Sequence, residues 1–240
     1  MSGDHTSGRE LCCTVVASTG GAVMNELLKQ PFFKRRIHSV VSDRDCPAIA
    51  KARAHGVAAT VLAETSAAAF CARLDAYLQA HEVDYVISFF TKLFVGRLLE
   101  RYRDRIVNLH PSLLPSFKGL HGFEDTVRAG VRYAGSTIHF LDEHMDEGKV
   151  IVQTVVPIDP ACPLAELRHR IFEQQCRSLL QVVKWLVDGR IVVQDNAVVV
   201  RDATYTDFEF SPALDFADAI ALRVPRPVGP AGGQPAGARA

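Results

Sequence analysis

The sequence predicts an α/β protein with a mostly parallel sheet, helices on both faces and a small C-terminal hairpin. Three observations predict it. Short runs rich in Val and Ile alternate with amphipathic stretches of about ten to fifteen residues through the first half of the chain, as in parallel strands joined by crossover helices. Hydrophobic residues make up 48% of the 240 positions and charged residues 22%, so a sizeable core can be buried and disorder throughout is excluded. Glycine and proline fall between these runs rather than in a repeat, which excludes a collagen-like chain.

The elements follow in order. Residues 11–18 (LCCTVVAS) form an apolar strand, Thr19-Gly20-Gly21 supplies a tight turn, and residues 22–29 read as a helix. Residues 36–42 are a second strand, and 47–55 a helix ended by Gly56. Residues 57–62 are a third strand. Phe70, Leu74 and Leu78 recur every fourth residue, which makes 66–81 a helix with one apolar face. Residues 84–90 return to strand. Sheets of this kind bind ligands beyond the strand C-termini.

The second half is more mixed. Residues 105–110 read as a buried strand, 123–129 as a short helix, and 137–141 and 150–158 as further strands. A long helix over 163–187 carries Leu164, Leu167, Ile171, Leu179, Val182, Val183 and Leu186 mainly on one face; Trp185 joins the core, and Gly189 closes the helix. Residues 191–193 and 198–200 flank Asp195-Asn196, a turn signal weaker than Asn-Gly, and predict a terminal hairpin. The expected layout is a flexible N-terminus (1–10), one folded domain (11–203), a C-terminal extension (204–224) and a disordered tail (225–240). In that tail Pro and Gly supply half the residues, and too few apolar groups remain to offset ordering entropy.

Several functions are excluded by charge and motif. Lys plus Arg and Asp plus Glu both number 27, so no global basic field gathers nucleic acid. No run approaches the roughly 20 apolar residues of a membrane span, and the polar start MSGDHTSGRE lacks the apolar region of a secretion signal, so a cytosolic protein is expected. The six cysteines contain no C-x-x-C pair and read as reduced core residues. Gly20-Gly21 lacks the rest of a G-x-G-x-x-G, so NAD is not expected. Lys34-Arg35-Arg36 reads as a solvated strand entrance.

The chemistry concentrates in one segment. Four of the nine histidines, His110, His121, His139 and His144, fall within 110–144. Asn108-Leu109-His110-Pro111 closes a strand, so Asn108 and His110 share one side of it at the edge where ligands sit. An amide donor beside an imidazole suits stabilisation of charge on a carbonyl oxygen while a proton moves. The same pair also fits a histidine satisfied at a strand end with an asparagine capping a turn. Asp146, followed by Gly148, can orient His110 or a water, the glycine letting backbone approach a ligand; the alternative is a solvated acidic turn. His139 is expected to be a strand residue packed or hydrogen-bonded next to the site. A metal site on His139, His144 and Asp146 is a rival, but neither H-E-x-x-H nor a cysteine cluster accompanies it, and no metal is assigned.

The run NLHPSLLPSFKGLHG, followed by GSTIHFLDEHMDEGKVI, resembles the phosphoribosylglycinamide formyltransferase family. The resemblance runs from Asp84 to about Pro157 and more loosely to Asp202. It implies a Rossmann-like formyltransferase domain over 11–203, with Asn108, His110 and Asp146 as catalytic triad and 10-formyltetrahydrofolate as co-substrate. It places the pterin against Thr91, Lys92, Leu93 and Phe94 and the loop of Asp142, Glu143 and Asp146. It assigns the acceptor to Gly20, Gly21, Ala22, Gly119, His121 and Gln175. There the chain departs from the family: a turn of the type Ser-Gly-x-Gly-Ser-Asn reads Ser18-Thr19-Gly20-Gly21-Ala22-Val23, and a Glu-His pair on the long helix matches Gln175-Cys176.

The function expected from this resemblance is N-formylation of an amine other than glycinamide ribonucleotide, such as an amino sugar, an amino acid derivative or a natural-product precursor. The purine-biosynthetic phosphoribosylglycinamide formyltransferase is the alternative. A formyltetrahydrofolate hydrolase ranks lower, because related hydrolases carry an additional N-terminal domain and only ten residues precede Leu11. A non-catalytic folate-binding descendant ranks lower because all three catalytic positions are retained. The expected partners are a folate donor and a small-molecule amine, with no nucleic acid and no membrane, in a monomer or homodimer.

Overall fold

The apolar runs of the first half become five parallel strands: β1 (Cys13–Ala17), β2 (Ile37–Ser42), β3 (Ala58–Val61), β4 (Tyr85–Phe89) and β5 (Ile106–His110). This is the arrangement in a computed structural model that describes residues 9–226. Two longer strands, β6 (Tyr133–Phe140) and β7 (Val150–Pro157), and a short one, β10 (Phe210–Ser211), extend the sheet antiparallel beyond β5. The order is β10-β7-β6-β5-β4-β1-β2-β3. The first crossover segments are α1 (Ala22–Leu27), α2 (Pro31–Lys34) and α3 (Pro47–Ala54), and then α4 (Ala67–Ala80) and α5 (Arg97–Arg101).

Strand alternation divides the core. Val15 and Val16 are neighbours in β1 and both fully buried, yet they join different clusters. Val15, Val40, Ile87 and Val107 pack with α1, α3 and the long helix α7 (Leu164–Val187). Val16, Val41, Val86 and Ile106 pack with Phe70, Leu74 and Leu78 of α4 and Leu98 of α5. Both faces are therefore covered, as the Val/Ile-rich strands require. Ser66 caps α4 by accepting the Ala69 N–H.

Several expectations need correction. The helix expected over 22–29 ends at Leu27, because Pro31 starts the separate one-turn α2. The strand expected at 137–141 begins at Tyr133; a Cβ on Gly135 would lie 1.9 Å from the Thr154 carbonyl oxygen, so glycine is what lets β6 lie against β7 there. Arg36 is not solvated: it is buried, its guanidinium 3.7 Å from the Phe32 ring centroid. Cys13, Cys71 and Cys176 are core residues, whereas Cys12, Cys46 and Cys162 are partly exposed.

The hairpin forms as its own two-stranded sheet, β8 (Ile191–Gln194) with β9 (Ala197–Val200), turning through Asp195 and Asn196 at φ 48° and 61°. Beyond it, β10 pairs with the β7 edge and α8 (Ala217–Ala221) packs on α7. Arg9, Glu10 and Arg226 form salt bridges with Asp84, Arg35 and Glu166. The flexibility expected of 1–8 and the disorder expected of 227–240 lie outside the described residues. Among the described residues no helix is long and apolar enough to cross a membrane.

Candidate active site

Asn108 and His110 end β5 on the same side of the strand, and the antiparallel register sets Asn108 directly opposite His139 of β6. His139 is fully buried, and burial holds its pKa below the ordinary value against the Phe140 carbonyl and Asp146, which raise it. Its Nδ1 lies 3.0 Å from the Phe140 oxygen and its Nε2 3.2 Å from Asn108 Nδ2. A neutral ring with its proton on Nδ1 satisfies both contacts, donating to the carbonyl and accepting from the amide. His139 thus fixes which way the Asn108 amide points, and leaves that amide a second N–H.

His110 is also buried. Its Nε2 donates to the Phe117 oxygen at 2.8 Å, and its Nδ1 lies 3.4 Å from Asp146 Oδ2. Nδ1 and the carboxylate are both acceptors unless a proton sits between them, so the geometry suits a shared proton or an ion pair. Phe117 presents its carbonyl from a left-handed backbone (φ 57°), in a turn that also accepts Ser112 Oγ. Gly122 begins α6 (Gly122–Arg128) against the ring, and a Cβ there would stand 2.8 Å from His110 Nε2.

Asp146 is buried and left-handed too (φ 56°). Its Oδ2 accepts the Gly119 N–H at 2.7 Å, and its Oδ1 lies 3.8 Å from His139 Nε2. One carboxylate therefore faces both histidines and ties the 119 loop to them. Gly148 serves differently from expectation. A Cβ there would be 1.7 Å from the Phe140 oxygen, so the close approach is to the protein's own β6 and not to a ligand.

Asn108, His110 and Asp146 open on a cleft of about 330 Å³ beyond the strand C-termini. Of the residues expected at the donor, Thr91, Lys92, Leu93, Phe94, Asp142 and Asp146 line it; Glu143 is exposed and does not. The Thr91 N–H donates to Ser18 Oγ at 3.0 Å, which fastens that loop to the end of β1. Lys92 pairs with the buried Asp43 at 2.6 Å. Burial pushes the Asp43 pKa up, but hydrogen bonds and charge from Arg44 and Lys92 outweigh it and hold the carboxyl below its ordinary value.

Of the residues expected at the acceptor, Gly119 lines the cleft, while Gly20, Gly21 and Ala22 follow Thr19, which reaches it, without lining it themselves. Gly21 is required in its turn: φ is 55°, and a Cβ would lie 2.9 Å from the Ala48 Cβ. Two residues expected at the acceptor lie off the cleft lining. His121 is exposed at the start of α6, and Gln175 is buried on α7; neither lines the cleft. Among the described residues no three His, Cys, Asp or Glu side chains converge as a metal site.

The parts played by Ser112, Phe117 and Gly122 were not anticipated, and Ser18 was read only as the start of the β1 turn, not as the anchor of the Thr91 loop. Glycine next to a site histidine is the one available signal, for Gly122; Ser112 and Phe117 act through a buried hydroxyl and a backbone carbonyl that no motif marks.

Fold and cleft together define the class: a doubly wound α/β protein carrying an amide and a His–Asp pair beyond its strand C-termini. Residues 14–183 match the family described as formyl transferase, and the chain belongs to that family. It is 33% identical over 207 residues to a phosphoribosylglycinamide formyltransferase of Mycobacterium tuberculosis, covering 79% of this chain and 92% of that one. It is 35% identical over 121 residues to the enzyme of that name from Haemophilus influenzae, a match covering 50% of this chain and 57% of the relative. Glycinamide ribonucleotide transformylase 1 from Symbiobacterium toebii superposes with a TM-score of 0.76 at 32% identity, over 84% of this chain and 99% of that one.

Proposed function

We propose that the protein transfers a formyl group from 10-formyltetrahydrofolate to the primary amine of a small acceptor, with Asn108, His110 and Asp146 as its catalytic groups. The observation that carries this reading is the convergence of the three at one wall of the cleft, His110 Nδ1 being 3.4 Å from Asp146 Oδ2. Leu93, Phe94, Leu141 and Met145 give the donor side an apolar lining suited to a flat pterin ring.

In the proposed reaction the amine nitrogen attacks the formyl carbon, a C–N bond forms, and the carbonyl pair moves onto oxygen. The second Asn108 N–H donates to that oxygen, and positive charge on His110 stabilises it. Asp146 holds His110 and takes the amine proton through water. The bond from the formyl carbon to N10 of the folate then breaks and N10 is protonated, leaving the N-formyl product and tetrahydrofolate.

For the acceptor, the turn after β1 supports an amine other than glycinamide ribonucleotide, because Ala22-Val23 stands where the family pattern has Ser-Asn. The names carried by the relatives support glycinamide ribonucleotide as the second reading. The test follows loss of the donor's formyl group with no acceptor, with glycinamide ribonucleotide and with a panel of amines. Turnover with another amine and not with the ribonucleotide is expected. Turnover with the ribonucleotide alone supports the second reading, and acceptor-independent turnover points to hydrolysis.

A further inference from the structure

We infer that the acceptor lip of the cleft takes a primary amine borne on an uncharged apolar group, aryl or alkyl, with Phe89 as its specificity-determining side chain. The inference rests on the transferase reading for its chemistry, but its observations are separate. Alternation along β5 sends Asn108 and His110 to one face of the sheet and Leu109 to the other. Phe89, last in β4, follows Tyr85 and Ile87 onto the same face as Leu109, and both pack half-buried against the core shared with α1 and α7. Both also line the cleft, beside Thr19 and Pro111.

This lip differs in charge from the rest of the cleft. The titratable side chains lining the cleft are Lys92, His110, Asp142, His144 and Asp146; His110 and Asp146 are the proposed catalytic groups, and the other three lie in the two loops proposed to hold the donor. None lines the lip of Thr19, Phe89, Leu109 and Pro111. Lys51 donates to the carbonyl of Gly20, in the turn after β1, at 2.6 Å, and it does not line the cleft. An acceptor placed there meets an aromatic ring, a leucine, a proline and one hydroxyl. Such a surface favours apolar area removed from water and offers little to replace the hydration of a phosphate or a sugar.

The test uses the full chain and three acceptors, phenethylamine, ethanolamine and glycinamide ribonucleotide, measuring binding by calorimetry and formyl transfer by product mass. Phenethylamine is expected to bind more tightly than the other two, and to give a kcat/KM higher by roughly tenfold or more. Phe89→Ala should abolish that preference, and Phe89→Leu, which keeps apolar bulk, should retain most of it. Equal or better binding of ethanolamine or glycinamide ribonucleotide overturns the inference, as does a preference unchanged in folded Phe89→Ala. A Phe89-dependent binding preference without formyl product upholds the apolar lip and refutes the transferase reading instead.

Discussion

Replacing Asp146 with asparagine keeps the shape of the side chain and removes its charge. Its Oδ2 accepts the Gly119 N–H at 2.7 Å, a bond that an amide oxygen can keep, so the loop should hold its place. What is lost is the anion 3.4 Å from His110 Nδ1, between two side chains that are 4% and 9% exposed. At an effective dielectric constant of about 20, unit charges at that distance interact by about 5 kcal/mol, and the open cleft brings the usable part to about 2–4 kcal/mol. That corresponds to a loss of roughly 30- to 1000-fold in turnover. The assay is steady-state formyl transfer at saturating donor, with kcat and kcat/KM expected to fall together. The melting temperature should change little. Near-wild-type turnover by folded Asp146→Asn would refute the pairing of Asp146 with His110 as the source of catalytic charge.

Three further outcomes follow from the same geometry. Gly122→Ala places a methyl 2.8 Å from His110 Nε2 and 3.0 Å from the Phe117 carbonyl, so the ring must shift; turnover should drop by about 10²-fold in a protein of normal circular dichroism. Gln181 is fully buried; its Oε1 accepts the N–H groups of Asp215 and Phe216, and its Nε2 donates to Asp215 Oδ1. Gln181→Ala should therefore cost about 2–3 kcal/mol, and lower the melting temperature by about 4–10 °C in a calorimetric scan. His139, held below its ordinary value of 6.5 by burial, contributes stability that is complete above that pH and lost as pH falls through the folded-state value. Urea titrations at pH 7.5 and 5.5 should show that loss, and a His139→Gln variant should show less of it.

What the sequence makes legible depends on how local the cause is. β1, β2, β4 and β5 could be read because buried parallel strands are near-continuous apolar runs, and α4 because Phe70, Leu74 and Leu78 keep the helical interval. The one-turn α2, β10 and α8 could not, because their conformation is decided by what they pack on: β10 exists through its pairing with β7, and α8 through its seat on α7. The start of β6 escaped for the same reason, since Ala134-Gly135 after Tyr133 has weak strand propensity and is held by β7.

At the site, period-two alternation correctly put Asn108 and His110 on one side of β5. His139, expected beside the site, faces Asn108 across the β5–β6 register. The role of Phe117 was invisible, because it works through its carbonyl and a left-handed backbone rather than a side chain. Gln175 and His121 were expected at the acceptor from their place in the family pattern, and burial of one and exposure of the other keep both off the cleft lining.

The most direct test of the central claim is to follow the formyl carbon itself. With 10-formyltetrahydrofolate labelled with carbon-13 at the formyl position and a primary amine acceptor, the label should move onto the amine nitrogen as a formamide. It should do so in proportion to tetrahydrofolate formed, and only while Asn108, His110 and Asp146 are intact. Label recovered as formate at the same rate with and without amine, or unchanged transfer after His110→Ala, would contradict it.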